Sequence, residues 1–134
     1  MGMKHIHMSE FSWIHLEPEQ GKYNFSWLDK AVDLAENNGL DVILCTPTPT
    51  PPIWMSHLYP VTLMVKENGR RVTHGSRAHR CLNSPVFNRF AETITKKIGK
   101  RYGKRKVVRG WQLDNEIGHY GDVPCYCDAC LEQF

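Results

Sequence analysis

The sequence predicts an α/β fold built on parallel strands. Three observations carry this. Short apolar runs bounded by turn residues recur at residues 4–11, 40–45 and from 107 onward. Two stretches with helical periodicity separate them. The resulting order of strand, helix, strand, helix, strand is that of successive right-handed βαβ units.

The elements follow from local chemistry. Residues 4–11 alternate loosely, with His5 and His7 on one face. No third ligand accompanies these histidines, so packing or solvent exposure is the expected role. A turn-rich loop, 16–23, leads to Ser26, which opens a helix. Asp29 three residues later resembles a capping box. Leu28, Ala31, Val32, Leu34 and Ala35 are the expected apolar face, and Gly39 the left-handed cap. Residues 40–45 form a buried strand, in which Cys45 reads as a small core residue. The proline-threonine run 46–52 reads as a stiff loop after that strand. Residues 59–80 form a long irregular insert with two extended pieces around Gly69, and inserts of that length are usually functional. Ser84-Pro85 is a helix start, cap then proline. Val86, Phe87, Phe90, Ala91, Ile94 and Ile98 make the buried face, and the helix ends near Tyr102-Gly103.

Composition narrows the function classes. The chain has 134 residues, 41% hydrophobic and 23% charged, as in one modest globular domain with no second one expected. A net charge of +3 is too small to argue for nucleic acid. The dense basic cluster Lys96, Lys97, Lys100, Arg101, Lys104, Arg105 and Lys106 fits a solvated helix C-terminus. No apolar run approaches a membrane span, and the first residues lack a signal-peptide core. The cytoplasm is the expected setting, where cysteines serve as ligands or core thiols more than as disulfides.

Two constellations carry chemistry. The third strand ends in Asp114-Asn115-Glu116, with Gly118 and Gly121 beyond. In α/β barrels the chemistry lies at the C-terminal ends of strands, which makes Glu116 a candidate catalytic acid. A carboxylate that merely caps a turn is the alternative. Glu10 stands at the end of the first strand in the same way. The second constellation is Cys125-x-Cys127-x-x-Cys130, which can hold one tetrahedral zinc if Cys81 supplies a fourth thiolate. His119 is a rival ligand, and free surface thiols are the alternative.

At this point several blocks resemble one family. They are Ser9-Glu10-Phe11-Ser12-Trp13 with Leu16-Glu17-Pro18, Thr46-Pro47-Thr48, and Pro51-Pro52-Ile53-Trp54. They continue with Gly75-Ser76-Arg77, Cys81-Leu82-Asn83-Ser84-Pro85, residues 110–116 and the three clustered cysteines. In this order they resemble glycoside hydrolase family 42, the β-galactosidases, over essentially the whole chain. The resemblance implies a partial (β/α)8 TIM barrel, about strands 2 to 4. It implies Glu116 as general acid/base, Asn115 on the hydroxyl next to the anomeric carbon, and Glu10 and Arg77 on other galactose hydroxyls. It implies a structural zinc on Cys81, Cys125, Cys127 and Cys130, no organic cofactor, a galactoside substrate and a homotrimeric parent enzyme.

The family's nucleophile is a glutamate on barrel strand 7, which this sequence does not reach. A full barrel runs to about 250 residues. The expectation is therefore a piece of the catalytic barrel, inactive alone; turnover of a nitrophenyl galactoside by the purified chain would refute it. Glu116 as acid would need a nonpolar or anionic setting to stay protonated. Two other readings remain. One is a zinc-stabilised, non-catalytic module binding sugar or protein, for which Glu116 need not converge with Glu10, Asn115 and Arg77. The other is a redox or metal sensor using Cys125, Cys127 and Cys130.

Overall fold

A computed structural model describes residues 2–75, 77, 79–117 and 124–133. Ser76, Gly118, His119 and Gly121 lie outside the described residues. Strands β1 (His5–Met8), β2 (Asp41–Cys45) and β3 (Val108–Gln112) form one parallel sheet in the order β1-β2-β3. The helices are α1 (Trp13–Leu16), α2 (Ser26–Asn37), α3 (Ile53–Leu58), α4 (Pro85–Tyr102) and α5 (Asp128–Leu131). The expected α/β class and its order of elements are observed.

The sequential strand order matters. Two crossovers of the same hand in a sequential sheet place both helices on one face, the arrangement that closes into a barrel. Alternation along β2 turns Val42 and Leu44 toward that face. They are buried in one cluster with Leu28 and Val32 of α2 and Phe87, Ile94, Ile98 and Tyr102 of α4. His5 and His7 share the opposite, exposed face, as expected, and His7 Nδ1 lies 4.0 Å from Cys45 Sγ. Cys45 is buried, which pushes its thiol pKa up, with the charge of Glu10 adding to the shift.

Two expectations about α2 need correction. Ser26 is the first helical residue rather than its cap, and Asn24 Oδ1 accepts from its N–H and its hydroxyl. Asp29 does not reach back to close a capping box. It accepts from Arg101 Nε at 2.7 Å and Tyr102 Oη at 2.8 Å on α4, and the Arg101 hydrogen bond holds its carboxyl below the ordinary range. Leu34 is 65% exposed, because residues 28, 32 and 35 define the buried stripe and 34 falls beside it. Gly39 has the expected positive φ of 66°. The basic end of α4 is only partly a solvated terminus. Arg101 pairs with Asp29, and Arg105 pairs with Asp33 and Glu36, so these two arginines clip α4 to α2.

Ser84 caps α4, its hydroxyl accepting from Phe87 N at 3.4 Å, with Pro85 at the first helical position. The insert has its extended pieces where expected. Val65 bridges Arg71 across Gly69, which has a φ of 77°, and Leu63 bridges Arg80. Among the described residues no helix is long and apolar enough to cross a membrane.

Candidate functional site

The C-terminal ends of β1, β2 and β3 lie side by side, and β1 and β3 leave the sheet through left-handed residues. Ser9, Asp114 and Glu116 have positive φ values of 79°, 60° and 45°. For residues with a side chain this region costs about 1–2 kcal/mol each and needs compensating contacts. At Ser9 the compensation is local: Ser12 Oγ donates to Ser9 O at 2.7 Å, and the two hydroxyls lie 2.9 Å apart. This turn delivers Glu10 and Phe11 to the rim.

The loop after β3 is held from across the sheet. Asp114 Oδ1 accepts from Arg80 Nη2 at 2.6 Å and from Asn115 N at 2.7 Å. Asp114 Oδ2 accepts from Thr48 Oγ1 at 2.7 Å, and Asp114 N donates to Thr46 Oγ1 at 2.8 Å. The Arg80 and Asp114 side chains are only 4% and 13% exposed. Thr46 and Thr48 of the 46–52 loop are therefore anchors for the acid-bearing loop.

Four sequence-expected residues meet at this rim. Gln112 Nε2 lies 3.1 Å from Glu10 Oε1, 3.2 Å from Asn115 Oδ1 and 3.0 Å from Asp114 O. It thus ties Glu10 and Asn115 together. Arg77 Nη1 stands 4.0 Å from Glu116 Oε2, and both side chains are 49% exposed. The Arg77 guanidinium also lies over the Phe11 ring, 4.7 Å from its centroid, a cation–π contact next to Glu10. Glu116 is half exposed with a guanidinium beside it. Gln112, Asp114, Arg80, Thr46 and Thr48 had no role assigned from sequence. Their pairing joins positions up to 102 residues apart, which no local pattern encodes.

The Leu16-Glu17-Pro18 block has a structural reason. Glu17 is 1% exposed and accepts from Trp13 Nε1 and Gly21 N, each at 2.9 Å. Its carbonyl accepts from Trp54 Nε1 at 2.9 Å, which docks α3. Burial and the Glu17 carboxylate push the Tyr23 hydroxyl up to about 12.

The cysteines converge. The Sγ atoms of Cys81, Cys125, Cys127 and Cys130 all lie within 4.8 Å of one another, and every cysteine is free. Cys81 Sγ is 3.4 Å from the sulfurs of both Cys127 and Cys130. Four thiolates at about 2.3 Å from a tetrahedral zinc would be separated by about 3.8 Å, so the donor set fits that ion. Burial, then the neighbouring thiols, pushes the Cys81 thiol well above its ordinary value. Cys125 is held below its ordinary value despite burial, by the backbone N–H groups of Val65 and Cys127. When bound, zinc supplies a cross-link and holds its thiols deprotonated. The cluster brings two distant segments together: Cys81 precedes α4, while Tyr126 N donates to Val65 O of the insert at 2.8 Å. His119, the rival ligand, is outside the described residues.

Known proteins match this architecture. A β-galactosidase family model, that of glycoside hydrolase family 42, matches residues 1–134. The β-galactosidase of Thermus thermophilus is 44% identical over 133 residues, covering 99% of this chain and 21% of that protein. Among solved structures, the cold-adapted β-galactosidase of Rahnella sp. R3 superposes with a TM-score of 0.91 at 36% identity, covering 97% of this chain and 19% of that one. The β-galactosidase of the haloarchaeon Halorubrum lacusprofundi does so with a TM-score of 0.91 at 42% identity, over 96% and 19%. The chain spans about one fifth of the length of the relatives it matches. The parallel sheet, the rim it presents and the match along its entire length place this chain in glycoside hydrolase family 42, the β-galactosidases.

Proposed function

We propose that residues 1–134 are the acid-bearing part of the catalytic barrel of a retaining β-galactosidase, with Glu116 as general acid/base. The observation that carries this reading is the convergence at the strand ends: Arg77 against Glu116, and Glu10 joined through Gln112 to Asn115. A non-catalytic module has no need of that convergence. Glu116 would protonate the glycosidic oxygen as the bond breaks, then take a proton from the incoming water. A second carboxylate about 5 Å away, from a later barrel strand, would attack the anomeric carbon. Asn115 would hold the adjacent hydroxyl with a neutral hydrogen bond that strengthens as positive charge develops on the ring. Glu10 and Arg77 would grip further hydroxyls and fix the ring in place.

Cys81, Cys125, Cys127 and Cys130 would hold zinc in a structural role, away from the sugar. The parent enzyme would be a homotrimer acting on galactosides in the cytoplasm, and this chain alone would be inactive.

The test is a chimera in which residues 1–134 replace the matching segment of the Thermus thermophilus enzyme. It should hydrolyse phenyl β-galactoside. Glu116→Gln in that chimera should lower kcat by roughly 10²–10⁴-fold, the usual contribution of a positioned acid/base. A folded Glu116→Gln chimera with undiminished kcat would sink the assignment.

A further inference from the structure

We infer that Asp114 is a positioning residue for the acid, acting through a buried clamp with Arg80 and Thr48. This rests on the proposed role of Glu116. Every polar group of Asp114 already has a partner within the protein. Its N–H donates to Thr46, and its carbonyl lies 3.0 Å from Gln112 Nε2. One carboxylate oxygen takes Arg80 and the N–H of Asn115, and the other takes Thr48. A carboxylate held by three donors of its own chain serves the loop first. Its effect is on the next two residues: it fixes the Asn115 peptide by its N–H, between the left-handed Asp114 and Glu116. That fixes the direction in which the Glu116 side chain leaves the rim.

Arg80 gives the clamp its geometry. Its guanidinium is buried, with Nη2 on Asp114 and Nη1 directed at Pro49 O at 3.4 Å. Arg80 is also the residue before Cys81, whose thiol belongs to the cysteine cluster. The acid's loop is thereby tied to the proline loop and to the base of α4 beside the cysteine cluster. A shift of about 1 Å in a reacting group can cost on the order of 100-fold in rate. Removing the charge on Asp114 weakens its bond to Arg80 and slackens this tie.

A positioning role for the acid has a signature that general loss of structure lacks. Protonation matters for a poor leaving group and little for an activated one. The Thermus chimera is therefore assayed with phenyl and 2,4-dinitrophenyl β-galactosides. Glu116→Gln is measured first and should lower kcat/KM far more for the phenyl substrate. If it does not, the proposed role of Glu116 fails, whatever Asp114 does. Given that result, Asp114→Asn should lower kcat/KM for phenyl galactoside by roughly 30–100-fold and for the dinitrophenyl substrate by less than about threefold. The KM for the phenyl substrate should stay within about twofold. Thr48→Val, which removes one bond and leaves the ion pair, should show the same bias at roughly 3–10-fold. It stands in for Asp114→Asn if that variant does not fold. Equal losses on both substrates, or no loss in a folded variant, overturn the inference.

Discussion

At the scale of single residues, this chain spends its most buried polar groups on holding turns. Glu17 is the plainest case. Its two carboxylate oxygens accept from Trp13 Nε1 and Gly21 N, with the Tyr23 hydroxyl also against them, in a site with almost no solvent. Glutamine has nearly the same shape but carries one acceptor and one donor at that end. One N–H would then point at another N–H, and the buried amide would hold a donor facing a donor. Such a mismatch costs about 1–3 kcal/mol. Glu17→Gln should therefore lower the urea midpoint of the Thermus chimera's unfolding by an amount corresponding to that range, with the urea slope unchanged. An unchanged midpoint would mean that the ring of contacts around Glu17 is not what holds this corner. The same exclusion of water applies at Asp114, where the carboxylate serves the loop rather than a ligand. Glu17 and Asp114 resemble functional carboxylates in the sequence, and only their partners separate them from Glu116.

At the scale of elements, what was legible in the sequence was whatever repeats or brackets. The apolar run of residues 40–45, Gly39 before it and Ser84-Pro85 at the head of α4 each act through near neighbours, and all three stand where the pattern puts them. Asp29 departs from the local pattern because its partner is 72 residues away on α4. Leu34 departs from it because one apolar residue beside a stripe looks the same in sequence as one within it. The cysteine cluster lies between these cases. The spacing of Cys125, Cys127 and Cys130 is local, but Cys81 joins them only through the fold. Bound metal would suture α5 and the insert to the base of α4, joining elements that have little core of their own. The purified chain should thus carry about one zinc, since four thiolates complete a structural site. In native buffer its thiols should resist a disulfide reagent. A chelator should expose four, and denaturant the fifth, Cys45, which is buried in β2. Reactive thiols in the presence of zinc would point instead to free or redox-active cysteines.

At the scale of the whole molecule, the sheet is finished on one face only. Val42 and Leu44 are buried under α2 and α4, while His5 and His7 on the other face meet solvent. β1 and β3 each pair with β2 alone among the described residues, so each offers a row of unpaired backbone groups. Beyond the end of β3, Leu113 and Ile117 are 73% and 67% exposed, and Trp111 is exposed on the strand itself. An open edge flanked by apolar side chains is a template for pairing with another chain. The same surfaces in a closed barrel are covered by neighbouring strands and helices, and the relatives are about five times longer than this chain. Residues 1–134 expressed alone should therefore self-associate at micromolar concentration through β3, whereas the Thermus chimera should not form such aggregates. A charge on the edge blocks this kind of pairing. Trp111→Lys should accordingly shift the isolated chain toward monomer in light scattering, and its circular dichroism should remain that of a mixed α/β protein. If the unsubstituted chain is already monomeric across that range, then the packing beneath β2 suffices to hold a free-standing three-stranded unit. The exposed rim, with Glu116 on it, would then be accessible for ligand titration without the rest of a barrel.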